Sequence, residues 1–143
     1  MHSGIAIPLK YRHNHIEDAA LLYTSIYCIV YLLAESIAEA PSFVKLQFEG
    51  ARCVRSARTD CSPAIGIYPS DPEASFIVEL NNSNWPTEAH KSYTYQNSAL
   101  KPRGKHYVVS NHDVFHEILA DTFSESLITE GCAEYEFVKH YFA

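Results

Sequence analysis

The sequence lacks the composition that marks several classes of protein. Glycine and proline contribute only 5 and 7 of the 143 residues, whereas hydrophobic residues make up 47%. This balance excludes collagen-like and disordered chains. The four cysteines form no Cys-x-x-Cys pair, so we expect free thiols. A chain of this length can bury one sizeable core, which predicts a single domain over residues 1–143.

No segment has the character of a secretion signal or a membrane span. The N-terminal apolar stretch, residues 5–9, is short and is interrupted by Pro8. The longest apolar run, residues 19–34, has fewer than the roughly twenty residues that cross a bilayer. We therefore expect a cytoplasmic protein that makes no use of a membrane.

The apolar run over residues 19–34 predicts a long N-terminal helix. Only Thr24 and Ser25 are polar within it, and Pro41 should end the helix near Glu39. Three tyrosines recur at a spacing of four, which places them on one side of such a helix: Tyr23, Tyr27 and Tyr31. They can belong to the edge of a core helix, to the seam of a homodimer, or to a pocket for a small amphipathic ligand.

The middle of the chain predicts strands. Val44, Leu46 and Phe48 alternate with polar residues, as in a half-buried strand. Further strands are expected over residues 52–57, 64–68, 74–80, 93–96 and 106–110, with an irregular loop over residues 81–88. Residues 110–131 predict a second helix, and residues 133–141 a short third one. The expected fold is α+β: a long N-terminal apolar helix, an antiparallel sheet of about four to six strands, and two C-terminal helices packed on one face.

The negative charge is concentrated at the C-terminus. Residues 1–110 contain ten acids and ten lysines or arginines, whereas residues 111–143 contain seven acids and only Lys139. In the predicted second helix four acids follow one another at a spacing of four and form a ridge: Asp113, Glu117, Asp121 and Glu125. This ridge can be a solvated face, a match for Arg52, Arg55 and Arg58 of the same protein, or a binding site for a cationic partner.

Few residues carry a signal for chemistry. His112 and His116 are one helical turn apart and can share a metal ion, with His90, His106 or a carboxylate as a third ligand. The candidate nucleophiles Cys53, Cys61, Ser62 and Ser110 lie in no catalytic motif. The glycines form no loop that would hold a phosphate, and no cofactor is expected. The basic clusters, residues 52–58 and 101–105, lack interleaved aromatic residues, which argues against nucleic-acid binding.

Two functions remain open. The first is a non-enzymatic binding protein, homodimeric through the tyrosine-bearing helix or an edge strand, which engages a basic protein or a cationic small ligand through the acidic helix. The alternative is a small-molecule-binding or metal-assisted hydrolytic domain with a pocket lined by the tyrosines and by His112 and His116. No residue pattern identifies a family.

Overall fold

A computed structural model describes residues 3–15, 17–58, 65–94, 99–111 and 113–142. Within these ranges the chain forms nine strands and two short helices. The elements are, in chain order, β1 Gly4–Pro8, β2 Ala20–Tyr23, β3 Cys28–Leu33, β4 Phe43–Glu49, β5 Cys53–Arg58, β6 Phe76–Leu80, α1 Trp85–Tyr93, β7 Lys105–Asn111, β8 Val114–Ala120, β9 Thr122–Ile128 and α2 Tyr135–Tyr141.

The strands build two antiparallel sheets that pack face to face. One sheet has five strands in the order β1-β6-β7-β8-β5, and the other has four in the order β2-β3-β4-β9. Side chains from both sheets meet in one core, which includes Val30, Leu46, Tyr107 and Ile118. The outer face of the four-stranded sheet is covered by α2, and part of the outer face of the five-stranded sheet is covered by α1.

The predicted α+β fold with a long N-terminal helix is wrong, because residues 20–33 form the β2–β3 hairpin instead. Thr24, one of the two polar residues in the run, makes the turn: its Oγ1 accepts hydrogen bonds from the N–H groups of Ile26 and Tyr27 at 3.2 and 2.9 Å. Strand β3 is apolar throughout because both of its faces are covered. Val30 lies in the core between the sheets, while Ile29 packs on the α2 side.

The predicted second helix over residues 110–131 is also wrong, since the described part of this segment forms β8 and β9 and the end of β7. In β8 the side chains of Ile118 and Ala120 point into the core, whereas Phe115 and Leu119 pack on the opposite face of the sheet. Apolar residues on both faces of a strand imitate the spacing of a helix. One short C-terminal helix, α2, lies within the residues for which a third helix is predicted.

The strand predictions have mixed outcomes. Strands β4, β5, β6 and β7 confirm four of the predicted segments, with ends that differ by up to two residues. Residues 65–68 form no strand, and residue 64 lies outside the described part of the chain. Tyr93 ends α1, while residues 95 and 96 are not among those described. The predicted loop over residues 81–88 includes the first turn of α1.

Among the described residues, neither helix combines the length and the apolar character that crossing a bilayer requires.

Candidate functional site

The four acids of the predicted ridge do not share a helix. Glu117 lies in β8, where it pairs with Arg55 of β5, and its side chain is 15% exposed. Asp121 lies between β8 and β9 and pairs with Arg52 at 2.9 Å. The match to the arginines of residues 52–58, one of the three predicted alternatives, is thus present at two of the four acids.

The other two acids lie elsewhere. Glu125 in β9 accepts hydrogen bonds from the backbone N–H groups of Lys10 and Tyr11, at 2.7 and 2.9 Å, and so fastens the segment after β1 to the other sheet. Asp113 is exposed and precedes β8, and its N–H donates to Asp18 Oδ1 at 3.2 Å. The four carboxylates consequently form no continuous ridge.

The three tyrosines are separated in the same way. Tyr23 and Tyr27 flank the β2–β3 turn and are exposed, whereas Tyr31 is buried against α2. The Tyr31 hydroxyl donates to Glu134 Oε2 at 3.0 Å. Burial, together with that carboxylate, raises the pKa of Tyr31. The three side chains therefore line no common pocket.

The predicted metal pair is not assembled by a helix. His112 lies outside the described residues, and His116 is on strand β8 with both ring nitrogens engaged, by Ser56 Oγ at 2.6 Å and by the Ala19 carbonyl at 2.8 Å. Burial lowers the pKa of His116. In the described part of the chain, no group of three or more His, Cys, Asp or Glu side chains is arranged to hold a metal ion.

The predicted nucleophiles also differ in their settings. Burial raises the pKa of the Cys53 thiol, which disfavours the reactive thiolate. Ser110 is exposed on β7, while Cys61 and Ser62 are not among the described residues.

A chain of hydrogen bonds on the outer face of the five-stranded sheet joins Ser83, His106, Glu117 and Arg55, which we call the polar network. Ser83 Oγ lies 2.6 Å from His106 Nδ1, and His106 Nε2 lies 2.7 Å from Glu117 Oε1. Arg55 donates to both carboxylate oxygens of Glu117, through Nε at 2.6 Å and Nη2 at 3.1 Å. His106 is buried, whereas Ser83 and Arg55 reach solvent.

Strand pairing brings the members of this network together. Arg55 lies directly opposite Glu117 in the β5–β8 register, and Val108 lies opposite Glu117 in the β7–β8 register. His106, two residues before Val108, is consequently a diagonal neighbour of Glu117 on the same face of the sheet. Three adjacent strands thus fix three charged or polar side chains within one hydrogen-bonded set.

Ser83 enters the network from the connection between β6 and α1. Asn82 has a positive φ of 54°, a conformation that asparagine tolerates better than most residues. The Trp85 N–H donates to Ser83 Oγ at 3.1 Å, which orients the hydroxyl at the start of α1. The Trp85 ring packs against His106, with centroids 4.7 Å apart, and the Arg55 guanidinium lies 4.3 Å above the centre of the same ring.

The protonation states within the network follow from these contacts. Burial alone would raise the pKa of the Glu117 carboxyl, but hydrogen bonds from His106 and Arg55 favour the ionised form and lower the pKa to about 2. Ionised Glu117 accepts hydrogen bonds only, so His106 Nε2 must donate to it. In the neutral imidazole Nδ1 is then an acceptor, and the Ser83 hydroxyl donates to it.

The polar network lies at the surface of a cleft of about 590 Å³, which we call the Trp85 cleft. Its walls also include Asn81, Asn82, Asn84 and Glu88. Ser83 and His106 border a second, adjoining cleft of about 500 Å³ on the side of Lys105. Ser83 therefore lines both clefts.

Sequence reasoning missed this site because its members are far apart in the chain and belong to no motif. The sequence predicts His106 only as a possible third metal ligand, and Glu117 only as a member of the acidic ridge. One local signal was present: Pro86 in the first turn of a helix is favourable, so Trp85-Pro86 could have indicated that α1 begins there.

Comparison with known proteins gives no match for this chain among protein-family models, curated proteins or solved structures.

Proposed function

We propose that the protein binds a small, polar, uncharged molecule in the Trp85 cleft. The observation that carries this proposal is the polar network at the cleft surface, where a buried histidine and a mostly buried carboxylate lie beside a partly exposed serine and an exposed arginine. Ligand sites commonly combine a concave surface with a few fixed polar groups, and the cleft volume lies in the range of such sites.

The charges of the cleft indicate the class of ligand. Among the described residues that line it, Arg55 alone carries a fixed positive charge, whereas Glu88 and Glu117 are acidic. Two of the Arg55 nitrogens already donate to Glu117, so an anion would find little uncompensated positive charge. The three asparagine amides can donate to and accept from hydroxyl, ester and amide groups. These features support a neutral ligand with such groups.

The binding of a cationic partner by the four acids stays a prediction. The ion pairs of Glu117 and Asp121 give it no support, because each carboxylate is already paired with an arginine.

The indole group of Trp85, the only tryptophan in the chain, reports on the cleft. We expect members of a set of neutral monosaccharides, small amides and small esters to shift its NMR cross-peak in a ¹H–¹⁵N correlation spectrum. Acetate and inorganic phosphate should leave this cross-peak unchanged. The proposal is contradicted if only the anions shift the cross-peak, or if none of the compounds shifts it at millimolar concentration.

Two variants test whether a compound binds in the Trp85 cleft: one lies in the connection before α1, and the other lies on α1. Asn84→Ala removes an exposed amide from the cleft wall, and we expect roughly fivefold weaker binding of any hit, equivalent to the loss of one hydrogen bond of about 1 kcal/mol. Thr87→Ala is the matched control, since Thr87 is exposed on α1 and does not line the cleft. Equal affinities for both variants would place the hit elsewhere.

Self-association is a second candidate function, favoured by the β2–β3 turn. Tyr23, Ile26 and Tyr27 are 43%, 80% and 48% exposed, and β2 is an edge strand of its sheet. We expect light scattering to give a dimer mass that falls to the monomer mass in Ile26→Lys. A monomer for the unaltered protein at every concentration contradicts this candidate.

A further inference from the structure

We infer that Ser83 is a nucleophile and that the Trp85 cleft hydrolyses small, uncharged esters. This inference rests on the proposed function, because the ester is the ligand of the cleft. It assigns Ser83 and His106 as catalytic residues and Glu117 as the positioning residue that acts through His106, with Arg55 holding the Glu117 carboxylate.

The hydrogen bonds run in the donor-to-acceptor direction that a serine nucleophile needs. Ionised Glu117 fixes the proton of His106 on Nε2, which leaves the lone pair of Nδ1 facing the Ser83 hydroxyl at 2.6 Å. Serine hydrolases use the same three roles, with the two imidazole nitrogens exchanged: there the serine meets Nε2 and the carboxylate meets Nδ1. Either nitrogen of imidazole can act as the base, so the exchange preserves the chemistry.

The backbone supports the same role. Ser83 lies between a strand and a helix, directly after a residue with positive φ, and the residue is partly exposed. A nucleophilic serine on a sharp strand-to-helix turn is held toward the substrate in the same way in other hydrolases. The buried His106 ring packs against the Trp85 ring, and hydrogen bonds to Ser83 and Glu117 hold its two nitrogens.

The reaction proceeds in two steps. Ser83 Oγ attacks the carbonyl carbon of the ester while its proton passes to His106 Nδ1, and the bond to the alcohol oxygen breaks as that oxygen receives the proton. Water then attacks the acyl group on Ser83, again giving a proton to His106. That proton returns to Ser83 Oγ as the carboxylic acid leaves. The sum is one ester and one water giving one acid and one alcohol.

The cleft also provides groups for the substrate carbonyl. The side-chain amides of Asn82 and Asn84 flank Ser83 in the chain and line the same cleft, and we expect them to donate to the oxygen on which negative charge develops. The two acids of the lining, Glu88 and Glu117, disfavour an acyl group that carries its own carboxylate. Small neutral acyl esters are therefore the expected substrates.

Covalent labelling with a fluorophosphonate tests the nucleophile. The Ser83 oxygen would displace fluoride from phosphorus, and peptide mass mapping would find the adduct on Ser83. We expect Ser83→Ala to abolish it and Ser126→Ala, at a serine exposed on β9, to label at the unaltered rate. Rates of p-nitrophenyl acetate hydrolysis should fall about 100-fold in His106→Gln, at the low end of the usual contribution of a general base, and at least as far in Ser83→Ala, which removes the nucleophile.

Glu117→Gln separates positioning from folding. Because the new amide can donate to Nε2 and leave the proton of His106 on Nδ1, we expect slower labelling together with a proton on Nδ1 in a long-range ¹H–¹⁵N correlation spectrum, which a purely structural role would not produce. Absence of an adduct in the unaltered protein, or an adduct that persists in Ser83→Ala, overturns the inference. If neutral ligands still shift the Trp85 indole cross-peak, the proposed binding function survives that result. If they do not, both fall.

Discussion

Replacing Glu117 by glutamine removes the charge at the centre of the polar network, and the structure sets the size of the effect. The Glu117 side chain is 15% exposed and its pKa is lowered from 4.5 to about 2. A difference of this size corresponds to about 3 kcal/mol of stability at pH 7. Part of it belongs to the pair with Arg55, whose side chain is 51% exposed, and that part is screened by solvent. We therefore expect Glu117→Gln to lower the free energy of unfolding by roughly 2 kcal/mol.

The stabilisation by Glu117 should depend on pH, and the lowered pKa sets the direction of that dependence. Because the folded pKa of Glu117 is lower than the unfolded value, the carboxylate stabilises the fold fully above pH 4.5, and the contribution is lost as the pH falls toward 2. The difference between the unaltered protein and Glu117→Gln should thus shrink to less than half between pH 7 and pH 3.

Urea unfolding followed by circular dichroism at pH 7, 5 and 3 measures this difference. Glu130→Gln is the control, the same substitution at an exposed position, and we expect it to change stability by less than about 0.5 kcal/mol. A Glu117→Gln effect as small as that of the control, or one that stays constant from pH 7 to pH 3, would refute the reasoning.

Three further perturbations test other parts of the fold. Burial lowers the pKa of His13 from 6.5 to about 4, so we expect the free energy of unfolding to fall as the pH drops from 6.5 toward 4, and His13→Phe, compared by urea titration, to flatten that fall. Gly50 has φ of 68° in the turn between β4 and β5, and an added Cβ would collide with the Asp121 side chain. We therefore expect Gly50→Ala to lower the free energy of unfolding by about 1–2 kcal/mol, measured by thermal unfolding. An unchanged melting temperature would contradict this turn geometry. Ile29→Ala should lower the free energy of urea unfolding by roughly 2–4 kcal/mol, because Ile29 is buried against α2. Ile26→Ala should lower it by less than about 0.5 kcal/mol, because Ile26 is 80% exposed in the adjacent turn. Equal losses for the two variants would contradict the hairpin.

The strands that were predicted from the sequence are those whose pattern is unambiguous. Val44, Leu46 and Phe48 point into the core while Lys45 and Gln47 between them do not, so the alternation in β4 was readable. The described residues of the 64–68 segment, by contrast, form no strand although their apolar content suggested one. A short apolar stretch between turn residues does not specify pairing, because its partner strand is set by the rest of the chain.

The two helix predictions failed for one physical reason. A strand that is covered on both faces needs no alternation, and β3 and β8 both meet this condition, with the second sheet on one side and a helix or a further apolar cluster on the other. Their near-continuous apolar residues therefore matched a helix as well as a strand. The polar pair Thr24-Ser25 was the available signal, since it marks the turn of the β2–β3 hairpin.

The candidate site was beyond prediction because register, and not spacing along the chain, brings it together. Glu117 is 62 residues from Arg55 and 11 residues from His106 along the chain. The three residues come into contact because their strands are neighbours in the order β7-β8-β5. The sequence identified an arginine cluster and an acidic cluster that could match, but it did not identify which members meet or that Ser83 and Trp85 lie beside them.

The proton positions of His106 test the central claim most directly, because both the binding site and the nucleophile depend on the order of hydrogen bonds from Ser83 through His106 to Glu117. A long-range ¹H–¹⁵N correlation spectrum at pH 7 distinguishes the two neutral tautomers, and a spectrum of His106→Gln assigns the ring among the eight histidines. We predict a proton on Nε2, an unprotonated Nδ1, and a change at Nδ1 in Ser83→Ala. A proton on Nδ1 would contradict the account, since His106 would then have no lone pair for the Ser83 hydroxyl.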